Sequence, residues 1–554
     1  MDQASSTATS LTADKDIVRR GGQNAASTTS SSGAHNRTGA NATDAAAVAR
    51  TTALKKALRT KYRHTAAVHS QSRPSTLSHD ATDTPSFLGF RNLGLIVLIA
   101  GNLRLVLENI QKYGVLICVR CHDFRRQDLQ VGFVLYTLVP CCLLVAYLIE
   151  LFAAYEARTS KLRAANNNWR GKGGGSGSVD GAGAGAGDKG EGSDGTTSPT
   201  EDQQARFRRI WYTVVALHLF NISLALIVTS WGVFSYVNHP LIGTIVEMHA
   251  IIVWLKTASY ALTNRDLRHA YLHPQRGDLD AIPELYRSCS YPSNVTFGNL
   301  CYFWWAPTLI YQPVYPRTEK IRWLFVLKRV GECFGLCVVM WVLSAQYAAP
   351  TLQNSVRAWQ EWDVPGLFER VLKLSTISLV IWLAGFFALF QSFLNALAEV
   401  MKFADRSFYD DWWNSDSLGT YWRTWNKPVS NYFRRHVFSP LMGRGWKFNS
   451  AAAVVFTVSA VLHELAVGIP THNVIGIAFL GMLVQLPLVA LTKRFEAPDS
   501  PVKKMIGNCI FWVTFTIFGQ PFAALCYFYA WQIKYGSISE QWKSGQSAWW
   551  MKKT

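Results

Sequence analysis

The sequence predicts an all-α integral membrane fold of about nine transmembrane helices, and three observations carry that reading. First, the 554 residues are 49% hydrophobic, but residues 1–85 and 160–205 are polar and low in complexity while the rest is far more apolar. A water-soluble globule mixes the two kinds of sequence along its length. Second, runs with few or no charges recur near 92–117, 130–154, 211–236, 239–263, 324–347, 371–400, 451–471, 474–492 and 506–533. Each is close to the ~20 residues that a helix needs to cross a bilayer. Third, Lys and Arg crowd into alternate connections, 156–209, 264–323, 401–450 and 493–505, and into the amino-terminal segment. The connections near 238 and 472 carry none. Positive-inside distribution then places the amino terminus and the 401–450 segment in the cytosol.

Taken in order, residues 1–85 are rich in Ser, Thr and Ala and are expected to be a disordered cytosolic region. A basic cluster, Lys55, Lys56, Arg59, Lys61 and Arg63, lies within it and suits either a lipid surface or plain solubility. No cleavable signal peptide is visible, and the first apolar run, near residue 88, reads as an uncleaved anchor. Residues 86–533 form the membrane domain, interrupted by a Gly-rich disordered loop at 160–205, and 534–554 is a carboxyl tail. Lys543, Lys552 and Lys553 put that tail in mild conflict with a lumenal placement. Arg104 and Glu108 interrupt the first span, and Lys328 and Glu332 the fifth.

The net charge of +19 does not indicate nucleic acid, because no binding module is recognisable and much of the charge sits between apolar spans. Ten scattered cysteines form neither a disulfide framework nor a zinc pattern. No metal site is expected. The sequons at Asn36, Asn41 and Asn294 fall on the cytosolic side and are expected to be unglycosylated.

One stretch, Phe408 to Glu464, departs from this pattern. Its first half, FYDDWWN onward, mixes Asp410, Asp411, Arg423, Arg434 and Arg435 with Trp412, Trp413, Trp422 and Trp425. That mixture suits interfacial helices at the cytosolic membrane surface, with indoles at headgroup depth. The second half, AAAVVFTVSAVLHELAVGI, reads as a membrane helix with His463 and Glu464 inside it. Ionisable groups in hydrocarbon are expensive and need a partner, a cavity or a chemical role. A neutral imidazole serves as a general base near neutral pH, and it equally serves as a bridge between two helices. Glu464 lies about 100° round the helix from His463, so it does not orient the ring. Substrate or water positioning, a salt bridge and a protonated structural carboxyl all remain open for it. His218, Glu247, His249, Glu332 and Glu399 read as pairs between helices or as residues near the interface, with a place along an acceptor tunnel open to any one of them.

These residues resemble a known family. FYDDWWN (Phe408, Tyr409, Asp410, Asp411, Trp412, Trp413, Asn414), Trp425-Asn426-Lys427-Pro428 and Ser459-Ala460-Val461-Leu462-His463-Glu464 are similar to the membrane-bound O-acyltransferases, in the branch that holds sterol and diacylglycerol O-acyltransferases. Asn102–Asn109 with Lys112-Tyr113-Gly114, then APTLIYQPVYPRTEKIR (306–322), then Gly519-Gln520-Pro521 resemble the type-one diacylglycerol enzymes. Two positions depart from the family pattern: Leu465 follows the His-Glu pair, where a tyrosine is common, and Val429 to Tyr432 is less basic than expected.

The resemblance implies helices enclosing a buried catalytic chamber, with acyl-CoA as co-substrate, no cofactor, and diacylglycerol as acceptor. A sterol or a wax alcohol is the alternative acceptor. It implies His463 as the base, with Asn426 donating to the thioester oxygen or holding the imidazole. Trp422, Arg423, Thr424, Trp425 and Asn426 would touch acyl-CoA, Ser459 and Glu464 would line the pocket, and Gln520 the acceptor side. Lys427, Arg434, Arg435, Arg444 and Lys447 would add countercharge. Asp410 and Asp411 would fix the loop. Ser459, four residues before His463 on the same face, makes a covalent acyl-enzyme geometrically possible, whereas the family implies direct transfer in a ternary complex. It further implies the endoplasmic reticulum membrane, contact with membrane lipids, and a homo-oligomer, dimer or tetramer. From a different class, a multispan transporter would also explain charges at mid-membrane, but it leaves the aromatic 408–426 segment without a reason.

Overall fold

A computed structural model describes residues 63–65, 67–78, 85–100, 112–114, 116, 125–173, 201–272, 282–496 and 500–535. These residues are almost wholly helical, with two isolated bridges, Arg73–Asp405 and Arg317–Phe403, in place of any sheet. Seven helices among them are long and apolar enough to cross a membrane: Arg126–Arg163, Arg208–Tyr236, Pro240–Leu272, Val364–Val400, Phe448–Gly468, Ile477–Phe495 and Pro501–Gln532. They turn apolar side chains outward, among them Phe133, Leu148, Phe220, Ile227, Leu480 and Phe518, as a lipid solvent requires.

The expected count of nine is not reproduced, for reasons that differ at the two missing spans. The first, 92–117, begins in the helix Leu88–Ala100, and most of its remainder lies outside the described residues. The fifth is the helix Trp323–Leu343, in which every stretch of crossing length contains Lys328, Arg329 and Glu332. The Gly-rich part of the 160–205 loop likewise lies outside the described residues. Its flanks are helical, the helices running to Gly173 on one side and starting at Glu201 on the other.

Local chemistry sets many helix starts. Thr296, Ser417, Asn426 and Ser500 each accept from the backbone N–H three residues on, and Asp363 does so ahead of Pro365. Gly476, at φ +76°, makes the left-handed turn that starts the helix Ile477–Leu483. Within the bilayer-crossing helix Pro240–Leu272, Lys256 is buried and its Nζ donates to the carbonyls of Phe303, Trp304 and Ala306, 2.8–2.9 Å away. That single ammonium closes the end of the helix Phe297–Trp305.

Residues 67–78, which composition places in the disordered lead, lie along the body of the fold. The Arg73 N–H donates to the Ala404 carbonyl and the Arg406 N–H to the Arg73 carbonyl, while His69 Nδ1 meets Asp405 at 2.6 Å. Composition misses this because the affinity lies in backbone groups and three polar side chains rather than in apolar content.

Candidate active site

The helix Phe448–Gly468 carries the site's central residue. His463 Nδ1 lies 2.7 Å from the Ser459 carbonyl oxygen and 3.4 Å from the Ser459 hydroxyl. A carbonyl only accepts, so Nδ1 carries the proton and Nε2 presents its lone pair. The His463 side chain is accessible.

Glu464 points elsewhere. Its carboxylate accepts from the N–H groups of Gly476 (2.8 Å) and Phe479 (3.1 Å) and from the Tyr527 hydroxyl (2.8 Å). It therefore caps the helix Ile477–Leu483 and ties it to the helix Gln520–Tyr535. Of the roles left open by sequence, these contacts are of the structural kind.

Asn426 stands immediately before the helix Lys427–Phe433, and its Oδ1 caps that helix by accepting from the Val429 N–H. Its amide N–H₂ has no protein partner among the described residues. Val429 packs in the same apolar cluster as Val455, Val458 and Leu462, so the asparagine turn is held against the histidine helix. Trp422 makes a second tie, with its ring 6.0 Å from Phe456 and its indole N–H 3.3 Å from the Gln485 amide oxygen. Trp425 packs on Trp382, Phe390 and Tyr421. Gln520, half-buried, opens its helix directly after the wide turn Thr514–Gly519. Such π-type turns are frequent at functional sites.

The aromatic rings of the FYDDWWN segment do not lie at the protein surface. Phe408, Tyr409, Trp412 and Trp413 are buried in the largest aromatic core, with Trp412 edge-on to Trp382 at 5.1 Å and Trp413 stacked on Phe90 at 4.9 Å. Enough flanking helices converge there to enclose indoles that composition alone places at an interface. Polar groups of the same segment work on the backbone. Asp410 donates its N–H to the Thr424 carbonyl and pairs with Lys427 at 2.8 Å, and Asn414 bridges Gly89, Asp411 and Ser86. Asp410 and Asp411 thus both take part in bonds within the 408–427 stretch.

Three residues expected near the co-substrate have protein partners. Arg423 pairs with Glu496, and the Thr424 hydroxyl donates to the Thr420 carbonyl. Arg435 is buried, donating to the His64 carbonyl and the Thr263 hydroxyl, because the wide turn Arg434–Phe438 rotates it inward. Arg434, Arg444 and Lys447 remain exposed.

Sequence reasoning missed the clamp on this loop. A Cβ at Gly89 would stand 1.8 Å from the Trp413 carbonyl oxygen, and one at Gly507 2.0 Å from that of Asp416. Asn508 donates to the carbonyls of Trp413 and Ser415. Tyr527 and Gln485 were missed too. A glycine in an apolar run gives no signal of its partner, and only distance in the fold reveals it.

Comparison with known proteins agrees with this geometry. The model of the membrane-bound O-acyltransferase family matches residues 197–529. Diacylglycerol O-acyltransferase 1A of Glycine max is 34% identical over 85% of this chain and 84% of its own. Diacylglycerol O-acyltransferase 1-2 of Oryza sativa subsp. japonica is 32% identical over 84% and 86%. Diacylglycerol O-acyltransferase 1 of Corylus americana is 33% identical over 85% and 77%. A multi-pass membrane protein with a histidine on a bilayer-crossing helix, this chain belongs to the membrane-bound O-acyltransferase family.

Proposed function

We propose that this chain transfers the acyl group of acyl-CoA to the free hydroxyl of diacylglycerol, giving triacylglycerol and free coenzyme A. The observation that carries the proposal is the tautomer of His463, with Nδ1–H held on the Ser459 carbonyl and Nε2 free, in a chain whose relatives are diacylglycerol O-acyltransferases.

In the reaction Nε2 takes the hydroxyl proton as the oxygen attacks the thioester carbonyl carbon. The Asn426 amide donates to the developing oxyanion. Collapse breaks the C–S bond, and the imidazolium returns its proton to the departing thiolate. Transfer is direct: a protonated Nδ1 cannot accept the Ser459 proton, so Ser459 is not activated as a nucleophile. Trp422 and Trp425 flank the acyl-CoA, with Arg434, Arg444 and Lys447 as exposed countercharge, and Gln520 lines the acceptor side. The protein works in the endoplasmic reticulum membrane with its amino terminus and the 401–450 segment in the cytosol. It does so as a homo-oligomer, with residues 86–533 as the enzymatic body.

Expression in a host that makes no triacylglycerol tests this reading. Wild type restores triacylglycerol and His463→Ala does not. Membranes offered diacylglycerol, a sterol and a long-chain alcohol in parallel esterify the diacylglycerol. Ester formed only on the sterol or alcohol would overturn the acceptor assignment.

A further inference from the structure

A cavity of about 480 Å³ opens between the amino-terminal stretch 72–78, the stretch 317–329 and the stretch 391–406. It shares no residue with the candidate active site. Six cationic side chains line it, Arg73, Arg317, Lys320, Arg322, Arg329 and Arg406, against two carboxylates, Glu319 and Glu399. Glu399 holds both Arg322 and Arg406, and from outside the lining Asp405 holds Arg73 and Glu332 holds Arg329. Arg317 and Lys320 have no carboxylate within ion-pair distance among the described residues. The cluster is preorganised as well as charged. The guanidinium groups of Arg322, Arg329 and Arg406 stand 4.9, 5.0 and 5.6 Å from the ring of one residue, Phe325. Arg317 lies 4.0 Å over Tyr302. Three buried polar atoms on lining residues, Arg73 Nε, Arg329 Nε and Thr318 Oγ1, find no protein partner among the described residues.

We propose that this cavity binds a phosphate monoester. Six cations against the four carboxylates Glu319, Glu399, Asp405 and Glu332 leave a net charge of about +2, which matches the nearly double negative charge of such a group at neutral pH. Planar guanidinium forks held in fixed orientations are the geometry that recognises phosphate oxygens. The volume lies within the ~300–1,000 Å³ of ligand sites, so the phosphate carries an organic group. The lining comes from segments that charge places on the cytosolic face, so the ester comes either from a lipid headgroup with a terminal phosphate or from a soluble nucleotide monophosphate.

Full-length protein in phosphatidylcholine nanodiscs separates the sources. Thermal unfolding is followed against inorganic phosphate, against adenosine monophosphate, and in nanodiscs containing phosphatidate or, as a phosphodiester control, phosphatidylglycerol. A ligand of the native state raises the midpoint saturably. Wild type is stabilised. Arg317→Ala/Lys320→Ala, which breaks no ion pair, needs at least about tenfold more ligand. Lys503→Ala/Lys504→Ala, an equal charge change on an exposed helix start, behaves as wild type. Stabilisation by inorganic phosphate or the nucleotide assigns the soluble source, and stabilisation by phosphatidate alone assigns the lipid. Absence of stabilisation by any phosphate, equal response of all three proteins, or equal response to phosphatidylglycerol and phosphatidate overturns the proposal.

Discussion

His463 Nδ1 sits 2.7 Å from the carbonyl oxygen of Ser459, one turn earlier on the same helix, so the main chain and not a carboxylate fixes which ring nitrogen keeps its lone pair. The carbonyl survives any side-chain change at 459. Ser459→Ala is therefore expected to retain most of the acyl-transfer rate and to accumulate no acylated protein. His463→Ala is expected to lose ~10²–10⁴-fold in rate with unchanged thermal stability. Single-turnover assays with radiolabelled acyl-CoA read both. A labelled acyl group that stays on the denatured wild-type protein and disappears in Ser459→Ala would sink direct transfer.

Asn426 uses one end of its amide for the helix and leaves the other without a protein partner among the described residues. Asn426→Asp preserves the oxygen that caps Val429 but removes the N–H₂ donor. Its expected signature is a fall of about 10²–10³-fold in kcat, as for loss of one oxyanion donor, with the unfolding midpoint close to wild type. A stability loss with normal kcat would reduce Asn426 to a turn residue.

Glu464 is expected to behave oppositely. Replacing it with Ala orphans the N–H groups of Gly476 and Phe479 and the Tyr527 hydroxyl, at about 1–3 kcal/mol for each buried group. The unfolding midpoint should drop by several degrees while KM for both substrates holds in the protein that remains folded. Rate lost at intact stability would return the carboxylate to the reaction.

The glycine clamp makes a sharp contrast within one helix. Gly89→Ala drives a methyl into the Trp413 carbonyl, whereas Gly94→Ala meets nothing within 4 Å. Overpacking of this kind costs about 1–3 kcal/mol. Gly89→Ala, and Gly507→Ala likewise, should lower the yield of folded protein and its thermal midpoint, and Gly94→Ala should leave both unchanged. Size-exclusion profiles and thermal scans in detergent decide it.

What could be read from the sequence follows the range of the interaction. His463 on its helix was legible because an ionisable residue in an apolar run has few explanations, and its partner Ser459 lies only four residues away. The partners of Glu464 lie up to 63 residues away and those of Gly89 over 300, so no periodicity or motif announces them. Trp412 and Trp413 misled because an indole beside aspartates looks amphipathic until the aromatic rings that enclose it are assembled from distant helices. Arg435 misled for a related reason, since a wide π-type turn shifts the helical face by which a basic residue is judged.

Acid should test the contact between the amino-terminal segment and the body of the fold. His436 is buried with its Nδ1 2.9 Å from Nδ1 of His64 and its Nε2 2.8 Å from the Ser259 hydroxyl. Burial, and then the neighbouring Arg435 and His64, hold its pKa well below the ordinary 6.5. Asp266 faces this group too, accepting from the His64 N–H at 3.0 Å. In the unfolded chain His436 takes up a proton below about pH 6.5, and in the fold it does so only at lower pH, so the unfolded state binds more protons in between. Stability is then whole above pH 6.5 and falls as pH drops below it, by at most about 1.4 kcal/mol per pH unit from this group. His436→Gln, which keeps an amide in place of the ring but cannot titrate, should flatten the midpoint-versus-pH curve between pH 6.5 and 5 at some cost in absolute stability. A variant curve as steep as wild type would mean that the acid sensitivity belongs to other groups.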